Sequence, residues 1–266
     1  MFDSGSCMTD PANGLQRVSA MNSATHSILV VDDDLDACRN LSDILTDLGY
    51  TVQVAHDGPA ALELVRRNSF DVALLDFKMP GMDGLTLYRE IKKLSPATVA
   101  MMLTAYVSGA SSDDARHAGM WKVLPKPVDL ALVLPLVDEA VNQPLVLLVD
   151  DDHDLCASLW DLLRDRGYRV SIAHTASVAR DLLAQQNLKV VLLDLKLPDG
   201  SGNEVFSILR QANPETRTMI ITGHRPEFES LIKNILADGA DAICYKPFDL
   251  DKLLATLKRL AEAARK

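Results

Sequence analysis

The chain has 266 residues, 48% of them hydrophobic and 24% charged, and a formal charge of −10. That balance excludes wholesale disorder and fibrous repeats, and leaves room for one large domain or two small ones. Up to Pro144 there are 11 basic against 19 acidic residues, and after it 16 against 18, so neither half has the basic footprint of a direct nucleic-acid binder.

Residues 1–26 are small, polar and aperiodic, with neither the basic nor the apolar region of a signal peptide, and read as a disordered tail. From there short apolar runs alternate with amphipathic ones. Strands are predicted near 28–32, 51–55, 71–75, 99–103 and 120–124, each ending at a polar residue or a turn former. Helical patterns fall near 34–48, 58–68, 84–94 and 107–118, with a fifth from about Asp129. Asp33 or Asp34 suits the first N-cap and Gly49 the C-terminal end. After a connection at 142–144 the alternation restarts, with strands near 145–149, 169–173, 189–193, 217–221 and 241–244.

The restart is a repetition. ILVVDDDLDAC at Ile28 returns as VLLVDDDHDLC at Val146, and DVALLDFKMPGMDG at Asp71 as KVVLLDLKLPDGSG at Lys189. MMLTAY at Met101 returns as MIITGH at Met219, and VLPKPVDL at Val123 as ICYKPFDL at Ile243. The first three blocks are offset by 118 residues and the last by 120, a domain-sized period. Near-continuous apolar strands alternating with helices imply a parallel five-stranded sheet covered on both faces. The expected fold is therefore α/β: two doubly wound (βα)5 domains, 27–141 and 145–266.

Ligands of such sheets bind at the carboxyl ends of the strands, where every repeated polar residue falls. These are Asp32, Asp33, Asp76, Thr104 and Lys126 in the first unit, and Asp150, Asp151, Asp194, Thr222 and Lys246 in the second. Two unit charges about 4 Å apart repel by roughly 4 kcal/mol at an effective dielectric of about 20, so three clustered carboxylates need counter-ions. The lysine supplies one. Hard oxygen ligands in small number favour Mg2+ for the rest. An Asp beside such an ion is a nucleophile suited to a phosphoryl group.

This arrangement resembles the CheY-like receiver domain of two-component response regulators, over about residues 27–141 and 145–264. The resemblance implies a flavodoxin-like fold, with Asp76 and Asp194 as phosphoacceptors. It assigns Mg2+ to Asp32 and Asp33, and to Asp150 and Asp151, with each acceptor and the backbone carbonyls of Lys78 and Lys196. Thr104 and Thr222 match the switch hydroxyl, and Lys126 and Lys246 the phosphate-binding lysine, whose bond to Pro127 or Pro247 is typically cis. The partners implied are a histidine kinase or histidine phosphotransfer protein and a downstream protein target. One departure is that Val123 and Ile243 stand where the family often has a switching aromatic. Trp121 and Tyr245 lie nearby but out of register, and read as packing residues. Tyr106 and His224 follow the switch threonines and would overhang the site.

Further expectations follow. Nothing after the helix near 250–264 reads as an output domain, so a stand-alone, non-enzymatic regulator is expected. Cys7, Cys38, Cys156 and Cys244 are scattered and no membrane span is visible, so the reducing cytoplasm is expected. The alternative is a Mg2+-dependent phosphohydrolase of haloacid-dehalogenase type, using Asp32-x-Asp34. Against it, Asp36 occupies a position where that motif has Thr or Val, and the unit has no room for a cap. A calcium loop over Asp32–Asp36 fails for want of glycine at Ala37. Phosphorylation is expected to reorder loops 105–112 and 223–230. Residues 130–137 are apolar all round, so the fifth helix is expected to pack the two units together, with a homodimer contact as the alternative. Pro135 should kink that helix or delay its start.

Overall fold

The computed structural model describes residues 26–105, 114–115, 117–223 and 229–263. Most of the expected tail, most of the 107–118 helix, and Tyr106 and His224 lie outside the described residues. His26, read as the end of the tail, is instead tied to the sheet: its carbonyl accepts from Thr51 N–H at 2.9 Å.

The first unit contains β1 (Ser27–Val31), α1 (Leu35–Asp47), β2 (Thr51–Ala55), α2 (Gly58–Arg67), β3 (Val72–Asp76) and α3 (Gly84–Leu94). It continues with β4 (Val99–Thr104), β5 (Lys122–Pro125) and α4 (Leu130–Val141). The second unit contains β6 (Leu145–Val149), α5 (His153–Arg164), β7 (Arg169–Ala173), α6 (Ala176–Gln185) and β8 (Val190–Asp194). After it come β9 (Lys196–Leu197), β10 (Gly200–Ser201), α7 (Gly202–Ala212), β11 (Arg217–Gly223), α8 (Glu229–Ala237), β12 (Ala242–Lys246) and α9 (Leu250–Ala263).

Each unit holds one parallel five-stranded sheet, ordered β2-β1-β3-β4-β5 in the first and β12-β11-β8-β6-β7 in the second. Both are the flavodoxin-like doubly wound order. Strand residues alternate between two cores. Leu29, Val31, Ala73 and Leu75 join α2 and α3, whereas Ile28, Val30, Val72 and Leu74 join α1 and α4. Burial on both sides explains why the strands read as unbroken apolar runs. The first helix of each unit is started by an aspartate cap: Asp34 accepts from Asp36 and Ala37 N–H, and Asp152 from Leu155 N–H. Gly49 takes φ +93° at the end of α1.

Helix α4 departs from expectation. It begins at Leu130, with Pro135 exposed inside it, so the late start does not occur. It buries Val133, Val137, Ala140 and Val141 in a core made wholly of first-unit residues, and leaves Leu132 45% exposed. A helix apolar all round thus lies against its own sheet, and the bonds that join the units come from elsewhere. The short antiparallel pair β9–β10 is also unannounced by the sequence pattern.

Candidate phosphoacceptor site

The carboxyl ends of the strands converge as the doubly wound topology requires. Asp32 follows β1, Asp76 closes β3 and Thr104 closes β4; all three are buried, whereas Asp33 is exposed. Oxygens of Asp32, Asp33 and Asp76 lie within 4.8 Å of one another, and those of Asp150, Asp151 and Asp194 do the same in the second unit.

One lysine bridges the two buried carboxylates in each unit. Lys126 Nζ lies 2.6 Å from Asp32 and 2.7 Å from Asp76; Lys246 Nζ lies 2.5 Å from Asp150 and 2.7 Å from Asp194. The peptide bond that follows each lysine, to Pro127 or Pro247, is cis in both units. Lys126 N–H also bonds the Thr104 carbonyl at 2.8 Å, joining two functional positions across adjacent strands.

The electrostatics match a crowded anionic pocket with one cation. Burial raises the Asp76 carboxyl above its usual range, with Asp32 adding repulsion, and the Lys126 bonds only partly offset this. In the second unit burial raises Asp150 in the same way, with Asp194 as the repelling neighbour. Burial works against both ammonium groups, yet their carboxylate bonds prevail and raise Lys126 and Lys246. Three carboxylates against one ammonium leave net negative charge on hard oxygen donors, which suits a small divalent cation.

The backbone holds Asp76 and Asp194 from behind. Lys78 N–H donates to Asp76 at 3.0 Å and Lys196 N–H to Asp194 at 3.1 Å. These bonds make the loop after the acceptor strand turn back at once, bringing the backbone of Lys78 and Lys196 to the site. Asp34, the second aspartate of the Asp32-x-Asp34 motif in the phosphohydrolase reading, is engaged in capping α1 through Asp36 and Ala37 N–H at 3.0 and 3.1 Å.

Asp32, Asp33, Asp76, Thr104 and Lys126 in the first unit, and Asp150, Asp151, Asp194, Thr222 and Lys246 in the second, stand at the carboxyl ends of their sheets. Thr222, 1% exposed, donates to the Gly223 carbonyl at 3.4 Å. Val123 and Ile243 pack into the apolar cores as aliphatic residues. Trp121 packs in the first unit's core, but Tyr245 is 40% exposed, contrary to its reading as a packing residue. The exposure follows from its place beside Lys246 at the end of edge strand β12.

Several supporting residues were overlooked. A Cβ on Gly84 would fall 2.2 Å from the Asp76 carbonyl, and one on Gly202 2.2 Å from that of Asp194, so only glycine lets α3 and α7 start this close. The Cys38 and Cys156 thiols donate to the Asp32 and Asp150 carbonyls at 3.3 and 3.5 Å, and the His56 and His174 rings contact the same oxygens at 3.3 and 2.9 Å. Burial pushes the thiols up to about 11 and about 12, so they serve as packed supports and not as nucleophiles. Every one of these residues recurs at the 118-residue offset, a signal that was present in the sequence.

Comparison with known proteins agrees. The family model described as response regulator receiver domain matches residues 28–138 and 146–258. A response regulator receiver protein of Anaeromyxobacter sp. (strain Fw109-5) is 34% identical over 233 residues, covering 87% of this chain and 94% of that protein. The transcriptional regulatory protein ZraR of Escherichia coli (strain K12) is 40% identical over 114 residues, 43% of this chain but only 26% of ZraR. The chain thus spans about a quarter of that relative's length. A CheY-like receiver domain protein of Methanospirillum hungatei JF-1 is 31% identical, covering 45% of this chain and 95% of that one, with a TM-score of 0.44. The chain belongs to the response regulator receiver family, and carries two receiver domains in tandem.

Proposed function

We propose that the chain is a phosphoacceptor response regulator of a two-component or phosphorelay system. In this reading its receiver domains, 27–141 and 145–266 joined at 142–144, accept phosphoryl groups on Asp76 and Asp194. The observation that carries the reading is the same in both: a lysine bridging two buried aspartates, with a third, exposed carboxylate within 4.8 Å.

The donor is a phosphohistidine of a histidine kinase or phosphotransfer protein. An Asp76 or Asp194 oxygen attacks phosphorus, the P–N bond breaks, and the electron pair leaves with the imidazole, giving an acyl phosphate on the chain. Asp32, Asp33, Asp76 and the Lys78 carbonyl would hold Mg2+ in the first domain. Asp150, Asp151, Asp194 and the Lys196 carbonyl would hold it in the second. Bound there, the ion would neutralise the charge of the phosphoryl oxygens. Lys126 and Lys246, already on the acceptor oxygens, would move to the incoming phosphoryl group as point charges. Thr104 and Thr222, buried at neighbouring strand ends, would take a further phosphoryl oxygen and reorder the loops that follow.

In this reading the product stays on the chain and the signal passes on by phosphotransfer or by contact with a downstream protein, so no free substrate is turned over. No described helix is long and apolar enough to cross a membrane, which is compatible with work in the cytoplasm. The test is incubation with a small phosphodonor such as acetyl phosphate. Covalent label that base and hydroxylamine release, as they do an acyl phosphate, and that appears with Mg2+ and disappears with a chelator is expected, without turnover of p-nitrophenyl phosphate. Continuous hydrolysis of p-nitrophenyl phosphate without a labelled chain would favour the phosphohydrolase instead.

A further inference from the structure

The second domain sits on the end of the first domain's sheet opposite the acceptor. Arg169, which opens edge strand β7 and is 9% exposed, places Nη2 2.6 Å from Asp71 and donates Nε–H to the Ala97 carbonyl at 3.2 Å. Trp160, 3% exposed, donates to the Pro96 carbonyl at 3.0 Å, and its ring lies under Lys92 Nζ at 3.6 Å and Arg164 at 4.5 Å. Arg164 donates to the Tyr88 hydroxyl at 2.6 Å, which donates to the Gly119 carbonyl at 2.7 Å. Gly119 has φ +98°, and a Cβ there would lie 2.8 Å from Arg164 Nη1.

The tandem repeat supplies a control for each of these residues, because each has a counterpart at the same place in the other domain. Ser42, Thr46 and Thr51 stand where the docking side has Trp160, Arg164 and Arg169. Lys189, Phe206 and Arg210 stand where the receiving side has Asp71, Tyr88 and Lys92. Lys189 would meet an incoming arginine with like charge, and Phe206 lacks the hydroxyl. Arg210 and Arg217 are turned inward onto Asp241 at 3.4 and 3.1 Å, and Asp241 stands where the first domain has Trp121. Gly239, the counterpart of Gly119, has φ +103° and nothing within 4 Å of an added Cβ.

A head-to-tail contact between two like bodies is the kind that propagates from copy to copy into open filaments. Here both halves of the next contact are missing. We propose that the surface around Asp71, Tyr88, Lys92 and Gly119 is a dedicated docking site for the second domain of the same chain. The differences at Ser42, Thr46, Thr51, Lys189 and Arg210 stop the same contact from joining one copy to the next. The docking leaves the acceptor rim of the first domain uncovered. Asp71 and Asp76 are at opposite ends of β3, about 16 Å apart at ~3.3 Å per residue.

The test uses the full chain with Trp121→Phe, so that Trp160 is the only indole. Iodide quenching of Trp160 should be weak. Asp71→Lys or Arg169→Asp should each raise the quenching constant several-fold, and Asp71→Arg combined with Arg169→Asp should restore shielding. Unchanged quenching in both single variants, or no recovery in the exchanged pair, would overturn the docking site. Sedimentation covers the second half of the proposal. A monomer, or association unaffected by Thr51→Lys, supports it; association of wild-type chains that Thr51→Lys abolishes, by setting like charge against Lys189 of the next copy, would overturn it.

Discussion

In the first domain the loop after the acceptor strand turns through Gly81, at φ +79°, and rests Met82 so close to Gly58 that a Cβ there would meet Sδ at 2.6 Å. In the second domain the same loop folds into the β9–β10 hairpin. There Asp199, in the place of Gly81, accepts from Ala176 and Ser177 N–H at 2.6 and 3.0 Å. Sulfur packing fastens one loop and a charged cap the other, yet both bring the same backbone N–H to the acceptor aspartate. What faces the acceptor is held constant, and what fastens it or faces the other domain is free to differ. The docking surface follows that division, since none of its key side chains recurs and only the glycine at Gly119 returns, as Gly239.

The comparison breaks first at the shared glycines. Gly84→Ala and Gly202→Ala each press a Cβ onto an acceptor's own carbonyl and should cost about 3 kcal/mol in their domain, read by denaturant unfolding, with loss of labelling there. A cost below about 1 kcal/mol in either would show that the loop can yield.

A smaller and one-sided effect is expected at Asp199. Its carboxyl is held below the usual range by the Ser177 and Ala176 N–H groups. Asp199→Ala should speed amide exchange at Ala176 and Ser177 several-fold and weaken Mg2+ binding in the second domain only. An equal response in the first domain would mean that the loops are not independently fastened.

The smallest effect has the opposite sign. Asp33→Ala and Asp151→Ala relieve repulsion among three carboxylates, so without metal each should raise Tm by about 2 °C. The same variants should lose most of the further rise that Mg2+ gives the wild type. A clear fall in metal-free Tm would contradict the crowded-carboxylate picture for that domain.

Acid should spare the docking contact until late. Burial alone would raise the Asp71 carboxyl, but bonds from His26, Arg169 and Ser27 N–H hold it at about 2. A depressed carboxyl stabilises the fold above its unfolded value of about 3.9 and loses that contribution as pH falls through about 2. Trp160 shielding should therefore be level from pH 7 to 5 and fail only below about pH 4. Failure near pH 6 would assign the contact to another group.

Much of this was legible in the sequence because duplication marks shared chemistry. Asp32, Asp76, Thr104 and Lys126 stood out by recurring at a fixed offset after apolar runs, and the carboxyl-end rule placed them on one rim. The glycines and cysteines recurred too, but a glycine beside proline reads first as a turn, and a buried thiol as filler. The domain contact was misread for a physical reason. Residues 130–137 are apolar enough to predict a partner on every side, whereas a flank of the helix can stay exposed, as Leu132 does. The true contact rests on Trp160, Arg164 and Arg169, whose signal was their failure to recur.

The central claim is two equivalent acceptor sites in one chain, and counting phosphorylated species by intact-protein mass spectrometry tests it most directly. With acetyl phosphate and Mg2+, the wild type should carry up to two phosphoryl groups, Asp76→Asn or Asp194→Asn one, and the double variant none. A double variant labelled to the wild-type level, or a single variant that loses both groups, would contradict it.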